Sequence, residues 1–267
     1  MLVRIIPCDD RHSLIMIRTI DHGAVRELQL NRPPANALSL ELIVALKRAV
    51  ESSPQEGARS LVLSGLPGKF SAGLDVPQLL TLDHGAIATI WRELYALLRA
   101  LALSPIPIVA AITGHATAGG TVLPLFCDWR IVAQGDWKIG LNEVQVGLPL
   151  PPVIFAGLRR LIGPHQAERL AVGGRLISPD EAGRIGLVDE VVPIDQVIAR
   201  AVDWSRGLLA LPVDAMAATR RQARADLAEL FATDFESELE RVATSWWSAE
   251  AQTTLKVLVQ RLAAKKK

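Results

Sequence analysis

Short apolar runs of strand length alternate with stripes of helical period along the first 195 residues, and that alternation leaves few folds open. Residues 108–112 (IVAAI) are apolar throughout, and residues 60–64 (SLVLS) and 129–133 (WRIVA) are similar runs. Between them Ile90, Trp91, Leu94, Leu97, Leu98 and Leu101 recur at helical spacing, until Pro105 and Pro107 end the stripe. Upstream, residues 14–17 and 24–30 read as strands around the turn signal Asp21-His22-Gly23, and Pro33-Pro34 then break regular structure. Ser39 is a good N-cap for a helix whose buried face is Leu42, Leu46, Ala49 and Val50. Downstream, Ser178-Pro-Asp-Glu181 has the form of a capping box, Gly183 and Gly186 mark where that helix stops, and residues 187–192 are a last strand. Past Asp195 no strand signal returns. The reading is an α/β core over residues 1–195 with parallel, βα-repeated strands, followed by a helical region over 196–267; no internal repeat is visible in the sequence.

The composition removes several classes. A chain of 267 residues, half of them hydrophobic, can bury a full core, and 29 Lys+Arg against 28 Asp+Glu give no basic footprint for nucleic acid. The one basic run, Lys265 to Lys267, reads as a solvated helix end. Cys8 and Cys127 cannot build a disulfide framework and lack metal-ligand spacing. No stretch is long and apolar enough to span a membrane, and Arg4, Asp9, Asp10 and Arg11 stand where a signal peptide needs an apolar run. The expectation is a soluble protein that is not secreted, cytoplasmic or in an organelle matrix.

Two glycine-bearing loops come after strand-like runs: residues 68–75 (GKFSAGLD) after the run at 61–63, and residues 114–120 (GHATAGG) after that at 108–112. Ligands of open α/β sheets bind beyond the carboxyl ends of strands, and glycine there lets a backbone N–H approach a ligand. Known glycine motifs do not fit. The P-loop spacing fails between Gly65 and Lys69, Ser71 lacks a glycine two residues earlier, and no GxGxxG opens a helix.

Taken in order, FSAGLD (70–75), IVAAITGHATAGG (108–120), CDWRI (127–131) and LISPDEAGRIGLVDEVVP (176–193) resemble the crotonase, or enoyl-CoA hydratase/isomerase, superfamily. NRPPANALSL (31–40) and IGLNEVQVGL (139–148) are similar, more narrowly, to its mitochondrial-type delta3,delta2-enoyl-CoA isomerases. The resemblance implies a spiral of ββα repeats with a helical C-terminal region that completes the site and forms a trimer or a dimer of trimers. It implies an acyl-CoA substrate whose thioester oxygen is held by the backbone N–H groups of Leu74 and Gly119, with Ala72 on the CoA side; Asp75, next to Leu74, reads first as the cap of the following helix and second as a CoA contact. Fixed donors count most once an enolate places its charge on that oxygen.

The family's hydratases divide proton handling between two glutamates. The first position is Val122 here, and the second is Glu143. Moving a double bond from carbon 3 to carbon 2 needs one base that takes a proton from C2 and returns it to C4, so a single glutamate fits isomerisation in fatty-acid β-oxidation. A solvated loop carboxylate is the ordinary fate of a glutamate, but Ile139, Leu141, Val144 and Val146 surround this one with apolar residues that would raise its pKa toward neutrality. A hydratase or another crotonase-type lyase or hydrolase, or a non-catalytic acyl-CoA binder, are the other readings. His115 reads as a polar loop residue and Cys127 as a small hydrophobe. Trp246, Trp247, Leu255, Leu258 and Leu262 supply apolar surface for assembly, and residues 79–88 and 147–152 are expected to line the acyl tunnel. No metal, flavin or nucleotide-redox cofactor is expected, since no ligand cluster or dinucleotide fingerprint is present; the CoA thioester is itself the substrate.

Overall fold

The structure, a computed structural model, describes residues 3–4, 16–232 and 235–264. The chain enters through β1 (Val3–Arg4), β2 (Ile17–His22), β3 (Val25–Leu30) and helix α1 (Leu40–Ser52), where Ser39 accepts the Leu42 N–H as N-cap. Three ββα units come next. The first is β4 (Ser60–Ser64), β5 (Gly68–Ser71), α2 (Val76–Leu79) and α3 (His84–Ala102). The second is β6 (Ile108–Ile112), β7 (Gly114–Thr117) and α4 (Gly119–Leu125). The third is β8 (Trp129–Ala133), β9 (Ile139–Gly140), a 3₁₀ turn at Glu143–Val146 and α5 (Pro152–Gly173), which breaks at Gly163. Helix α6 (Pro179–Arg184) and β10 (Glu190–Val192) lead into α7 (Val197–Leu209), α8 (Val213–Ala223), α9 (Ala225–Leu230), α10 (Glu236–Trp246) and α11 (Ala249–Ala264).

Each unit sends its first strand to one sheet and its second to another. The large sheet has the order β1-β2-β3-β4-β6-β8-β10, parallel from β3 onward, and the small sheet is β5-β7-β9, parallel throughout. The inner large-sheet strands β4, β6 and β8 carry near-continuous apolar runs because both faces are covered. Leu61, Leu63, Ala110 and Ile112 belong to the main core with α1 and α3, whereas Val62, Val109, Ala111, Ile131 and Ala133 pack under Val197, Ala201 and Val202 of α7. The α7 helix therefore shares a core with the sheet. The repetition lies in topology, which is why no repeat shows in the residues.

Several boundaries differ from the sequence reading. The first hairpin strand begins where the reading ended it, at Ile17, and its two-residue turn is Gly23-Ala24, with Gly23 at φ +77. Leu14 lies outside the described residues, as do Cys8, Asp9, Asp10, Arg11 and Lys265 to Lys267. The two glycine-bearing loops each contain a short strand, β5 and β7. Gly114 permits it: a Cβ there would lie 2.0 Å from the Gly68 carbonyl carbon. Ser178 does accept the Glu181 N–H, but the Glu181 carboxylate pairs with Arg175 at 3.2 Å instead of closing the box. Gly183 lies inside α6, and Gly186, at φ +80, comes just after its end. Residues 79–88 are mostly helix, with only residues 80–83 between α2 and α3.

The C-terminal helices are tied to the core through Asp128. Its carboxylate accepts from Arg220 at 2.7 and 2.9 Å and from Arg224 at 3.2 Å, and it also accepts the Ile108 N–H. Trp246 and Leu255 are fully buried within the chain and so belong to the core, because α10 packs on α3 and α11 on the Glu143 turn. Trp247, Val257 and Leu262 stay exposed. Among the described residues no helix is long and apolar enough to cross a membrane.

Candidate active site

Three parallel strands of the small sheet end side by side, and each delivers one sequence-identified group two or three residues beyond its last residue. Leu74 lies beyond β5, Gly119 beyond β7 and Glu143 beyond β9. Neighbouring strands are ~4.8 Å apart, so groups leaving the first and third strands start within roughly 10 Å of each other.

Leu74 is held by its neighbours and leaves its own N–H unclaimed. Leu38 bridges it in parallel fashion, donating to Gly73 O at 2.8 Å and accepting from Asp75 N at 3.1 Å. The Gly73 N–H is taken by Ser71 Oγ. Among the described residues no acceptor takes the N–H of Leu74 or that of Gly119. The two backbones touch: a Cβ on Gly73, which sits at φ +81, would lie 2.8 Å from Gly119 N. A Cβ on Gly120 would lie 2.1 Å from Ser71 O, so neither glycine of the pair between Ala118 and Thr121 is spare. Ala118, just before α4, adopts φ +50 and ψ −123, a conformation rare outside glycine, and its N–H is held by Gly140 O. Strain of this kind, of order 1–3 kcal/mol, persists only where the surroundings over-determine it.

Glu143 opens the 3₁₀ turn. The residue as a whole is half-buried, but its Oε2 is sealed from solvent and has no hydrogen-bond partner. Burial pushes the carboxyl up to about 7, against a smaller opposing effect from its own backbone N–H. A group with that value is ionised in about half of the molecules at neutral pH. Helix α11 seats against this turn at Gly147, at φ +75, where a Cβ would lie 2.9 Å from Thr254 Oγ1 and 3.0 Å from Ala251 Cα. The C-terminal helix thus packs on the turn that carries Glu143.

The other candidates fall into place around these three. Val122 is buried in α4. Asp75 caps α2 by accepting the Gln78 N–H and pairs with Arg32 at 2.6 Å, so its carboxylate is engaged. Ala72 is exposed, and its carbonyl lies 3.5 Å from Thr117 Oγ1. His115 lies on β7, where Nδ1 accepts the Lys138 N–H and the ring meets Trp137 edge-on; burial and then Lys69 lower its pKa. Burial raises the Cys127 thiol to about 12, and the thiol donates to Leu123 O in the helix behind it. Sequence reasoning missed Arg32 and Asn36 beside the Leu74 segment, because their roles lie in pairings with residues more than thirty positions away.

A family model described as enoyl-CoA hydratase/isomerase matches residues 21–263. The chain belongs to this family. Mouse mitochondrial enoyl-CoA delta isomerase 1 is 33% identical over 256 residues, 94% of this chain and 88% of its own. A Mycobacterium avium relative bearing the name "Probable enoyl-CoA hydratase echA17" is 37% identical over 195 residues, 72% of this chain and 75% of its own. The crystal structure of human mitochondrial delta3-delta2-enoyl-CoA isomerase superimposes with a TM-score of 0.89 at 32% identity, covering 94% of this chain and all of that one. The α/β architecture with its ββα units and helical C-terminal region is the fold of the family.

Proposed function

We propose that this chain is an acyl-CoA enzyme that converts a 3-enoyl-CoA into the 2-trans-enoyl-CoA, a step of fatty-acid β-oxidation. The observation that carries the reading is one unpaired, buried carboxyl at Glu143 beside two unpaired N–H groups at Leu74 and Gly119. The thioester oxygen accepts from both N–H groups. Glu143 Oε takes a proton from C2, the electron pair moves into the thioester, and the oxygen bears the enolate charge where the two donors face it. Each donor of this kind lowers the barrier by about 3 kcal/mol. The same carboxylic acid then returns the proton to C4, and the double bond comes to rest between C2 and C3. A carboxyl with a pKa of about 7 suits both halves, since it is neither too weak a base nor too weak an acid at neutral pH.

The apolar Val122 favours isomerisation over hydration, because a water molecule at C3 would have no second acid on that side. Asp75 does not replace it, being tied to Arg32 and to the start of α2. Ala72 and Asp75 lie on the CoA side of this arrangement. The C-terminal helices, after the loss of Trp246 and Leu255 to the core, still offer Trp247, Val257 and Leu262, and a homotrimer or dimer of trimers is the assembly we propose. A monomeric mass by light scattering at micromolar concentration would overturn that part.

The deciding assay tracks the absorbance of the conjugated thioester. With 3-hexenoyl-CoA the signal should rise as the 2-enoyl product forms; with crotonyl-CoA it should barely fall. Faster loss of crotonyl-CoA than gain from the 3-enoyl substrate would make the protein a hydratase, in line with its mycobacterial relative.

A further inference from the structure

Residues 32–38 clamp residues 69–75 from one side. The Asn36 amide donates to Lys69 O at 3.1 Å and to Phe70 O at 3.0 Å, and Asn36 O accepts the Ser71 hydroxyl at 2.8 Å. Ala35 O takes the Ala72 N–H at 3.0 Å, Leu38 holds Gly73 O and Asp75 N, and Arg32 holds the Asp75 carboxylate. Among the described residues no acceptor takes the Leu74 N–H, and its direction is set by the residues on either side.

Asn36 is the centre of the clamp. It is completely buried, and every polar group it owns is used. Oδ1 accepts the Arg32 N–H at 2.8 Å, both amide protons go to the two carbonyls, and its own N–H donates to Arg32 O. Its φ of +49 is a left-handed conformation that asparagine tolerates better than most residues. A side chain that carried out only local capping would not reach across more than thirty residues of sequence to two consecutive carbonyls of a functional segment.

We propose that Asn36 is a positioning residue, which aims the Leu74 N–H at the thioester oxygen by fixing residues 69–71 and, through the Ser71 hydroxyl, the Gly73 N–H. This rests on the proposed binding of the thioester oxygen by Leu74 and Gly119. The Ser71 hydroxyl is the relay: it donates to Asn36 O and accepts from Gly73 N, the residue directly before Leu74. Displacing a donor by about 1 Å costs up to about 10² in rate, so loss of the clamp is felt in turnover before it is felt in affinity.

The test is Asn36→Gly, which keeps access to positive φ and removes the amide. Two quantities are read: kcat with 3-hexenoyl-CoA, and the infrared band of a ¹³C-labelled thioester carbonyl in bound hexanoyl-CoA. In the wild type the band should move to lower frequency on binding, and Glu143→Gln should keep that displacement. Asn36→Gly should show a smaller displacement and a kcat lower by about 10–100-fold, with hexanoyl-CoA affinity within a few-fold. A folded Asn36→Gly with wild-type band and wild-type kcat overturns the proposal. If that variant does not fold, Asn36→Ser, which also removes both bonds to the Lys69 and Phe70 carbonyls, decides by the same two readouts, with a smaller band displacement and a kcat lower by about 10-fold expected; a folded variant with wild-type values overturns the proposal equally. Absence of any band displacement in the wild-type protein would overturn the oxyanion reading itself, and with it any positioning role for Asn36.

Discussion

Replacing Glu143 by glutamine separates the chemical role of the carboxyl from its cost to the fold. The carboxyl is free to ionise near 4.5 in the unfolded chain and is held up to about 7 by burial in the folded one. As pH rises past 4.5 the unfolded chain gives up its proton first, so the wild-type protein loses stability between 4.5 and about 7 and no more above that. At ~1.4 kcal/mol per pH unit the loss amounts to about 3 kcal/mol. Glutamine carries no such dependence, and whatever its buried amide costs is the same at every pH. The difference in melting temperature, variant minus wild type, should therefore grow from pH 4.5 to pH 8 by roughly 6–12 °C for a chain of this size. In the same preparation isomerase turnover should fall by about 10²–10⁴. Wild-type kcat/KM should climb with pH and level off above about 7, as the free carboxylate forms. Differential scanning fluorimetry at matched ionic strength and a steady-state pH profile give both readings. A melting difference that does not change with pH, or a flat kcat/KM from pH 5.5 to 8, would refute the account of Glu143 as a desolvated base.

The geometry sets three further outcomes. Gly73→Ala forces a Cβ to within 2.8 Å of Gly119 N, so kcat/KM should drop by about 10² or more while hexanoyl-CoA binding, measured by calorimetry, weakens; wild-type turnover in this variant would mean the two backbones do not meet at substrate. Asp128→Ala leaves Arg220 and Arg224 facing each other without their carboxylate, which should cost about 3–5 kcal/mol in urea unfolding, and a midpoint within error of wild type would contradict it. Val122→Glu places an acid where the family's hydratases carry one, and crotonyl-CoA hydration should rise from a negligible rate if the variant folds; a folded variant with no gain would show that Val122 does not decide between the two reactions.

The parts of the fold legible in sequence are those whose burial is complete. Residues 60–64, 108–112 and 129–133 are read correctly because a strand covered on both faces carries a run of apolar residues, and α3 because its stripe faces one core. The small sheet is illegible for the opposite reason. Its strands, GKFS, GHAT and IG, are held by main-chain bonds and by glycines that let backbones touch, and neither leaves a hydrophobic period. Glu143 could be singled out from its apolar flanks and its place in the family pattern, yet nothing local tells that α11 packs on its turn. Trp246 and Leu255 show the same limit: a helical stripe says that a face is buried, not whether its own chain or another buries it. Asn36 and Asp128 pair over distances of thirty to nearly a hundred residues, which no window along the chain can reveal.

Because each of the three groups leaves from a different ββα unit, the proposed grip on the thioester and the proposed choice of proton are separately adjustable. Leu74 and Gly119 are locked by backbones in van der Waals contact, where a single added methyl does not fit. Glu143 stands on a two-residue strand and one turn of 3₁₀ helix, which residues 147–151 join to α5. On the proposed reading, insertions or exchanges in that third unit would alter which carbon is deprotonated, or whether water is admitted, while the N–H groups of the first two units stayed in place. A change of reaction in this scaffold therefore needs alterations confined to a few residues after β9 or to the inner face of α4, and substrates that share only the CoA thioester remain accessible to the same backbone.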